Sequence, residues 1–389
     1  MRVIGLVDCD SFYVSCERID NPSLKNKAVC VLTGAGSRSI IVSRSKEAKE
    51  LGIPMGAPLF QVERKFKNVI YIPARKHRYT EISRFVMDTL RSFTPDIEVV
   101  SIDEAYMDLT NLNTVYHKTY GELITHIRNT VLEKTGIPVS IGLSTSKTLA
   151  KLASDKAKKQ GGIFAVSPKR IQELIGEIDV DAICGIGKQS TKKLKRNGIF
   201  NINDFIASSD SFIRQILGKN GLILKHELNG ATISLVNSKE EPPQSIQDTS
   251  TLPDFTTDKN MLIYYLKKHI KQATQKLREW NGFCQSVHIL IRTKDFKTFH
   301  EWKKCTFPTN SERTVLKIAI ELFETTYQQN ILYRSIGIEL SDLTYEKPAQ
   351  ADLFEKHNFE TDTLDLTIDT LEKRFGNNII SKGFNVIKR

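Results

Sequence analysis

Apolar residues recur along this chain in two periods, and the switches between them mark out its parts. Short apolar runs fall at residues 3–7, 28–32, 99–102 and 139–143, which predicts strands with a buried face. Between them, residues 80–93, 120–134 and 147–158 repeat apolar positions every three or four residues, the spacing of a helix with one stripe against a core. The mixture predicts an α/β or α+β unit ending near Val166, interrupted over residues 11–77 by loops rich in Gly, Ser and Arg. From about 167 to 230 the pattern is helical and punctuated by glycines, among them Gly185, Gly187 and Gly198. The polar stretch Asn237-Ser238-Lys239-Glu240-Glu241-Pro242-Pro243-Gln244 then reads as a linker. Beyond it, helical 262–280 and 313–327 accompany strand-like 286–292 and 335–340, predicting a small α+β domain. The tail after Lys347-Pro348 shows no core of its own.

Length and composition narrow this picture. A chain of 389 residues exceeds what one core usually covers, so two to four compact units are expected. At 40% apolar and 26% charged residues it reads as globular. The longest apolar runs, such as Val29-Cys30-Val31-Leu32, are strand-sized, and no signal peptide is recognisable before Asp8. A cytoplasmic setting is therefore expected. The six cysteines contain no C-x-x-C pair, which argues against a zinc site and a disulfide framework. A net charge of +11 suits a polyanionic partner, although a soluble enzyme of incidental basicity accounts for it equally well.

Candidate chemistry begins with acids at strand ends. The run 3–7 leads into Asp8-Cys9-Asp10, and alternation puts Asp8 and Asp10 on one side with Cys9 opposite. Much later, Val99-Val100-Ser101-Ile102 leads into Asp103-Glu104. If these strands are neighbours, three or four carboxylates converge and need cations between them. Oxygen-only ligands suit Mg²⁺ or Mn²⁺, and two such ions about 4 Å apart can activate a hydroxyl and stabilise a leaving pyrophosphate. Acids also end strands merely because buried strands stop where polarity begins. Spacing alone leaves both readings open.

Asp8-Cys9-Asp10-Ser11-Phe12-Tyr13, then Ser101-Ile102-Asp103-Glu104-Ala105-Tyr106, then Gly142-Leu143-Ser144 with Lys147-Thr148-Leu149-Ala150-Lys151, resemble successive motifs of the Y-family translesion DNA polymerases. The stretch from Arg44 to Gly56 is closer to the catalytic subunit of bacterial polymerase V than to polymerase IV. The resemblance covers roughly residues 1–354 and implies an α+β right hand: palm (1–10 and 78–166), fingers (11–77), thumb (167–230), linker (231–245) and a C-terminal little finger (246–345). It implies that Asp8, Asp103 and Glu104 hold two Mg²⁺ ions (Mn²⁺ as substitute), with the Cys9 carbonyl as a further ligand. Tyr13 matches the steric gate and Phe12 the residue packing beside it. Lys49 and Lys158 match positions that contact the incoming triphosphate of a dNTP. Where many relatives carry Tyr in the fingers phosphate motif, this chain has Lys46, with Arg44 nearby as a substitute.

Cys184-Gly185-Ile186-Gly187-Lys188 reads as a helix-hairpin-helix turn, in which Gly185 and Gly187 let a DNA phosphate approach the backbone and Lys188 adds charge. In residues 346–389, Gln350, Asp352, Leu353 and Phe354 resemble the short motif by which bacterial polymerases dock on a β-type sliding clamp. The family likeness therefore implies error-prone, translesion synthesis on primer–template DNA in the SOS response to damage, with accessory subunits as further partners. No separate segment is left for a proofreading exonuclease. A non-catalytic adaptor has no need of Asp8, Asp103 and Glu104. A nucleotidyl cyclase has no use for a helix-hairpin-helix or a clamp motif.

Overall fold

In chain order the strands of the computed structural model are β1 (Ile4–Cys9), β2 (Val29–Leu32), β3 (Ile41–Arg44), β4 (Ile70–Pro73), β5 (Ile97–Val99), β6 (Glu104–Asp108), β7 (Val139–Ser144), β8 (Ile163–Ala165), β9 (Ile246–Thr256), β10 (Phe283–Thr293), β11 (Thr298–Thr309) and β12 (Tyr333–Thr344). Three sheets result, ordered β5-β6-β1-β7-β8, β3-β2-β4 and β11-β10-β12-β9. The structure describes residues 2–36, 38–176, 178–345, 359–376 and 380. It falls into two units, Met1–Glu240 and Glu241–Arg389. None of the described helices is long and apolar enough to cross a membrane.

In the first unit β1 is the central strand, antiparallel to both β6 and β7. Every residue of β1 is buried, which is why its sequence is a continuous apolar run. Val7 and Cys9 face a core closed by the helices Lys76–Arg91 and Tyr120–Thr135, through Tyr79, Val86, Leu90, Ile127 and Val131. Ile4 and Leu6 face the other way and meet Ala150 of the helix Lys147–Ala157. That helix lies against bare backbone at Gly142 of β7, where an added Cβ would stand 2.0 Å from the Ser154 nitrogen and 2.4 Å from the Ala150 oxygen. The sheet β3-β2-β4 has a small core of its own around Leu32, Ile41 and Ile53. The helices Ile171–Ile175, Lys188–Arg196, Ile202–Ala207 and Asp210–Leu228 bury Leu174, Leu194, Phe205 and Ile213 against Leu149 and Leu152.

The expected linker at 231–245 needs correction at its start. Thr232 donates to the Thr145 carbonyl at 2.7 Å, the Ser234 N–H to buried Glu227 at 2.8 Å, and the Asn237 N–H to Glu98 at 2.6 Å. Val236 packs with Ile4 and Leu6. The chain is therefore tied to the first unit as far as Asn237.

In the second unit the helices Lys259–Glu279 and Glu312–Thr326 bury Leu266, Ile270, Val315 and Phe323 against Val287, Ile289, Ile336 and Ile338 of the central strands β10 and β12. The tail, expected to show no core of its own, contributes the helix Phe359–Phe375. Its inner face carries acids at helical spacing. Asp369 accepts two hydrogen bonds from the buried Arg278 guanidinium, at 2.6 and 2.9 Å, and Asp365 accepts from the Glu312 N–H at 3.0 Å. Glu372 pairs with Lys271 at 2.5 Å, and Ile368 is buried on the same face. A reading tuned to apolar stripes misses a helix docked through charge.

Candidate active site

Register sets Asp8 beside Glu104 on β6 and beside Ser140 on β7. Asp8 shares the sheet face of Ile4 and Leu6, so it looks towards the helix Lys147–Ala157 and is only 7% exposed. The 99–102 strand expectation is corrected here. β5 stops at Val99, and residues 100–103 turn the chain into β6, with the Val100 and Ser101 N–H groups both donating to the Glu104 carbonyl at 3.1 and 3.2 Å. Ser101 Oγ donates to the Asp103 carboxylate at 2.6 Å, and the Cys9 N–H donates to the Asp103 carbonyl at 2.8 Å. Asp103 therefore sits on a turn pinned to the end of β1, while Glu104 opens a strand.

The carboxylates are close enough to perturb their neighbours. Burial first, then the Asp103 and Asp8 charges, push the Cys9 thiol well up. Burial and the Asp103 charge likewise raise the Tyr13 hydroxyl. Asp10 lies on the Asp8 side, as alternation requires, and accepts from Ser140 Oγ at 2.8 Å. Burial raises its carboxyl above the usual range, the Asp8 charge adding to the rise.

Two lysines from one helix end in this cluster. Lys158 Nζ donates to Asp8 at 2.6 Å. Lys151 Nζ bonds both Glu104 and Asp8, the latter at 3.2 Å. Burial opposes the Lys151 charge, but the Glu104 hydrogen bond and the Asp8 charge outweigh it and raise its pKa. Lys151 was not singled out from the sequence. Its signal was there, because positions 151 and 158 lie two helical turns apart on one face. Lys49 Nζ reaches Ser11 Oγ at 3.0 Å, and burial followed by the Arg44 and Lys158 charges lowers its pKa. The Arg44 and Lys158 charges are thus near enough to act on Lys49. Lys46 stands apart, its side chain 86% exposed and opposite Glu50.

Ser11 takes a left-handed conformation (φ 47°) where the chain leaves β1 for the helix Phe12–Asp20. Tyr13 follows, half-buried, with its ring stacked on Tyr79 at 4.6 Å and 17°. Buried Tyr79 in turn donates to Glu17 at 2.6 Å, and Arg75 clamps Glu17 through two hydrogen bonds of 2.9 and 2.7 Å. Phe12 is only 3% exposed and belongs to the core. It meets Tyr13 ring to ring at 5.8 Å, from the core side.

Elsewhere in this unit Gly185 adopts φ +99°, a conformation that favours glycine, and Gly187 caps the helix Lys188–Arg196 without any side-chain bond. Lys188 is exposed at its first position. Gln350, Asp352, Leu353 and Phe354 lie outside the described residues.

Comparison with known proteins fits this arrangement. Residues 7–155 match the impB/mucB/samB family and residues 243–353 that family's C-terminal domain. The chain is 32% identical to DNA polymerase IV of Oceanobacillus iheyensis over 389 residues, 99% of this chain and 92% of that protein. It is 31% identical to protein ImpB of Salmonella typhimurium over 374 residues, covering 91% and 86%. Among solved structures, a Y-family DNA polymerase chimera aligns with a TM-score of 0.74 at 27% identity, over 88% of this chain and all of the other. An insertion ternary complex of Dbh DNA polymerase aligns with a TM-score of 0.58 over the same shares, also at 27% identity. The chain belongs to the impB/mucB/samB family: it is a Y-family translesion DNA polymerase.

Proposed function

We propose that this polymerase adds dNTPs to a primer 3′-hydroxyl by two-metal nucleotidyl transfer, with Asp8, Asp103, Glu104 and the Cys9 carbonyl as metal ligands. The observation that carries the reading is the cross-strand pair Asp8–Glu104, largely buried and drawing two ammonium groups onto its oxygens. Such a pair of hard oxygen donors fits Mg²⁺ or Mn²⁺. Mg²⁺ and Mn²⁺ keep some water and complete their coordination with substrate phosphates. When bound, the ions would lower the pKa of the primer hydroxyl and offset charge on the leaving pyrophosphate.

The chain's own residues do the positioning. Arg44, Lys49 and Lys158 form the cationic wall for the triphosphate, and the Tyr13 ring, backed by Tyr79, takes the sugar. Gly185, Gly187 and Lys188 hold a DNA phosphate, with backbone N–H groups at a helix start doing the contacting. Gln350, Asp352, Leu353 and Phe354 dock the enzyme on a β-type sliding clamp, a reading supported by their sequence alone. Synthesis is error-prone and without proofreading, in the cytoplasm, as part of the SOS response with accessory subunits.

Primer extension on undamaged and lesion-bearing templates tests the core of this reading. Extension on both is expected with Mg²⁺, and none after chelation. A well-folded preparation that extends neither template, or that extends both without a divalent cation, would sink it.

A further inference from the structure

Lys151 is held in place more firmly than an ordinary helical lysine. Its helix rests directly on the backbone of β7 at Gly142, packed as closely as the chain allows. The helix start is fixed as well. Buried Glu227 accepts from the Thr148 N–H at 3.1 Å and from Thr148 Oγ1 at 2.6 Å, while Ser146 Oγ donates to the Glu227 carbonyl at 2.9 Å. One turn further on, Lys151 projects between β1 and β6, and its ammonium is shared by Asp8 and Glu104. All three side chains are at most 20% exposed, so water screens their charges poorly. Lys158 differs. It is 35% exposed, touches Asp8 but not Glu104, and also faces Asp155 at 3.6 Å.

A divalent cation drawn to Asp8 and Glu104 therefore meets a fixed positive charge on the same oxygens. A triphosphate changes that balance, because it brings several negative charges and further ligand oxygens. We propose that Lys151 is a built-in counter-cation that keeps the metal affinity of the Asp8–Glu104 pair low until a nucleotide arrives. The inference rests on these acids being metal ligands. Its consequence is coupling: metal and nucleotide each strengthen the other's binding, and by linkage the two enhancements are equal.

Mn²⁺ titration of the full-length protein, followed by electron paramagnetic resonance with and without a non-hydrolysable dNTP analogue, separates the possibilities. Lys151→Met should bind Mn²⁺ at least tenfold more tightly than wild type without nucleotide, and its enhancement by the analogue should shrink by the same factor. Lys151→Gln, a second removal of the charge, should move both quantities the same way. A lysine that only packs the helix gives the opposite sign, since loosening the acids weakens metal binding. Unchanged or weaker Mn²⁺ affinity in both variants, with Asp8→Asn abolishing the site, would overturn the inference and leave the ligand assignment standing. If Asp8→Asn leaves Mn²⁺ binding intact, the ligand assignment fails and the inference with it.

Discussion

At the residue scale, Tyr13 and Lys49 do their proposed work through what lies behind them. Tyr13 stacks on Tyr79, whose hydroxyl donates to Glu17, itself clamped by Arg75, so under the proposed function its ring is backed on the side away from the sugar. Discrimination by a clash with the 2′-hydroxyl acts against the wrong sugar without better binding of the right one. Tyr13→Ala should therefore raise ribonucleotide kcat/KM strongly, by more than the 10–200-fold or so typical of a missing methylene, and leave deoxynucleotide use within a few-fold. An unchanged ratio, with both sugars slowed alike, would make Tyr13 a packing residue. Lys49 carries a pH prediction. Its pKa is lowered by burial and by the Arg44 and Lys158 charges, so rising pH discharges it sooner than an ordinary lysine. A triphosphate prefers the charged form, so KM for dNTP should climb on the alkaline side, below the usual lysine range. Lys49→Arg, charged throughout, should erase that limb; Lys49→Gln should give a high KM at every pH. A limb that survives in Lys49→Arg would assign it to another group.

At the scale of elements, the helix Lys147–Ala157 is the part on which the most depends. It closes one face of the sheet, shares a core with the helices of 171–228, and carries Lys151 and Lys158 to the acids. Gly142→Ala should force it off β7, since the new methyl would overlap backbone that no rotamer change can move. A loss of at least about 1–3 kcal/mol in stability, the usual cost of overpacking, is expected. Nucleotide addition should fall further than stability accounts for, because both lysines shift with the helix. Denaturant melts and single-turnover rates on the folded fraction check this, and a variant with normal stability would refute the tight contact. β1, β7, β10 and β12, each paired on both sides, were legible in the sequence; β6, also paired on both sides, was not. β9 and β11 were not, because they are the two edges of their sheet. Most β11 side chains are exposed, so no apolar alternation marks it. The helix Phe359–Phe375 stayed hidden because two of its buried positions, Asp365 and Glu372, are acids, and with half-buried Asp369 they are answered by Arg278 and Lys271. At the site, the acids were legible as an ordered set of motifs. The turn at Asp103 and the role of Tyr79 depend on partners distant in sequence, Cys9 and Glu17, and could not be read locally.

For the whole molecule, grip and chemistry should come apart. Its 56 basic residues against 45 acidic ones are spread along the entire chain, and affinity for DNA backbone grows with the number of phosphates neutralised, roughly 0.9 in the salt exponent for each. Asp103 and Glu104, by contrast, sit together at one end of the strands of one sheet, where β5 turns into β6. Under the proposed mechanism they serve the cations during bond formation and touch no phosphate of the duplex. Asp103→Ala or Glu104→Ala should therefore lower nucleotide addition by on the order of a thousandfold or more, about 4 kcal/mol in the barrier. Primer–template affinity should stay within about threefold, drifting if anything towards tighter binding as a negative charge is lost, and its dependence on salt should be unchanged. Fluorescence anisotropy over a salt series, run beside single-turnover extension on the same preparations, reads both quantities. Parallel loss of affinity and rate would mean that the carboxylates organise the DNA-binding surface, and near-normal extension by either folded variant would remove them from the chemistry altogether.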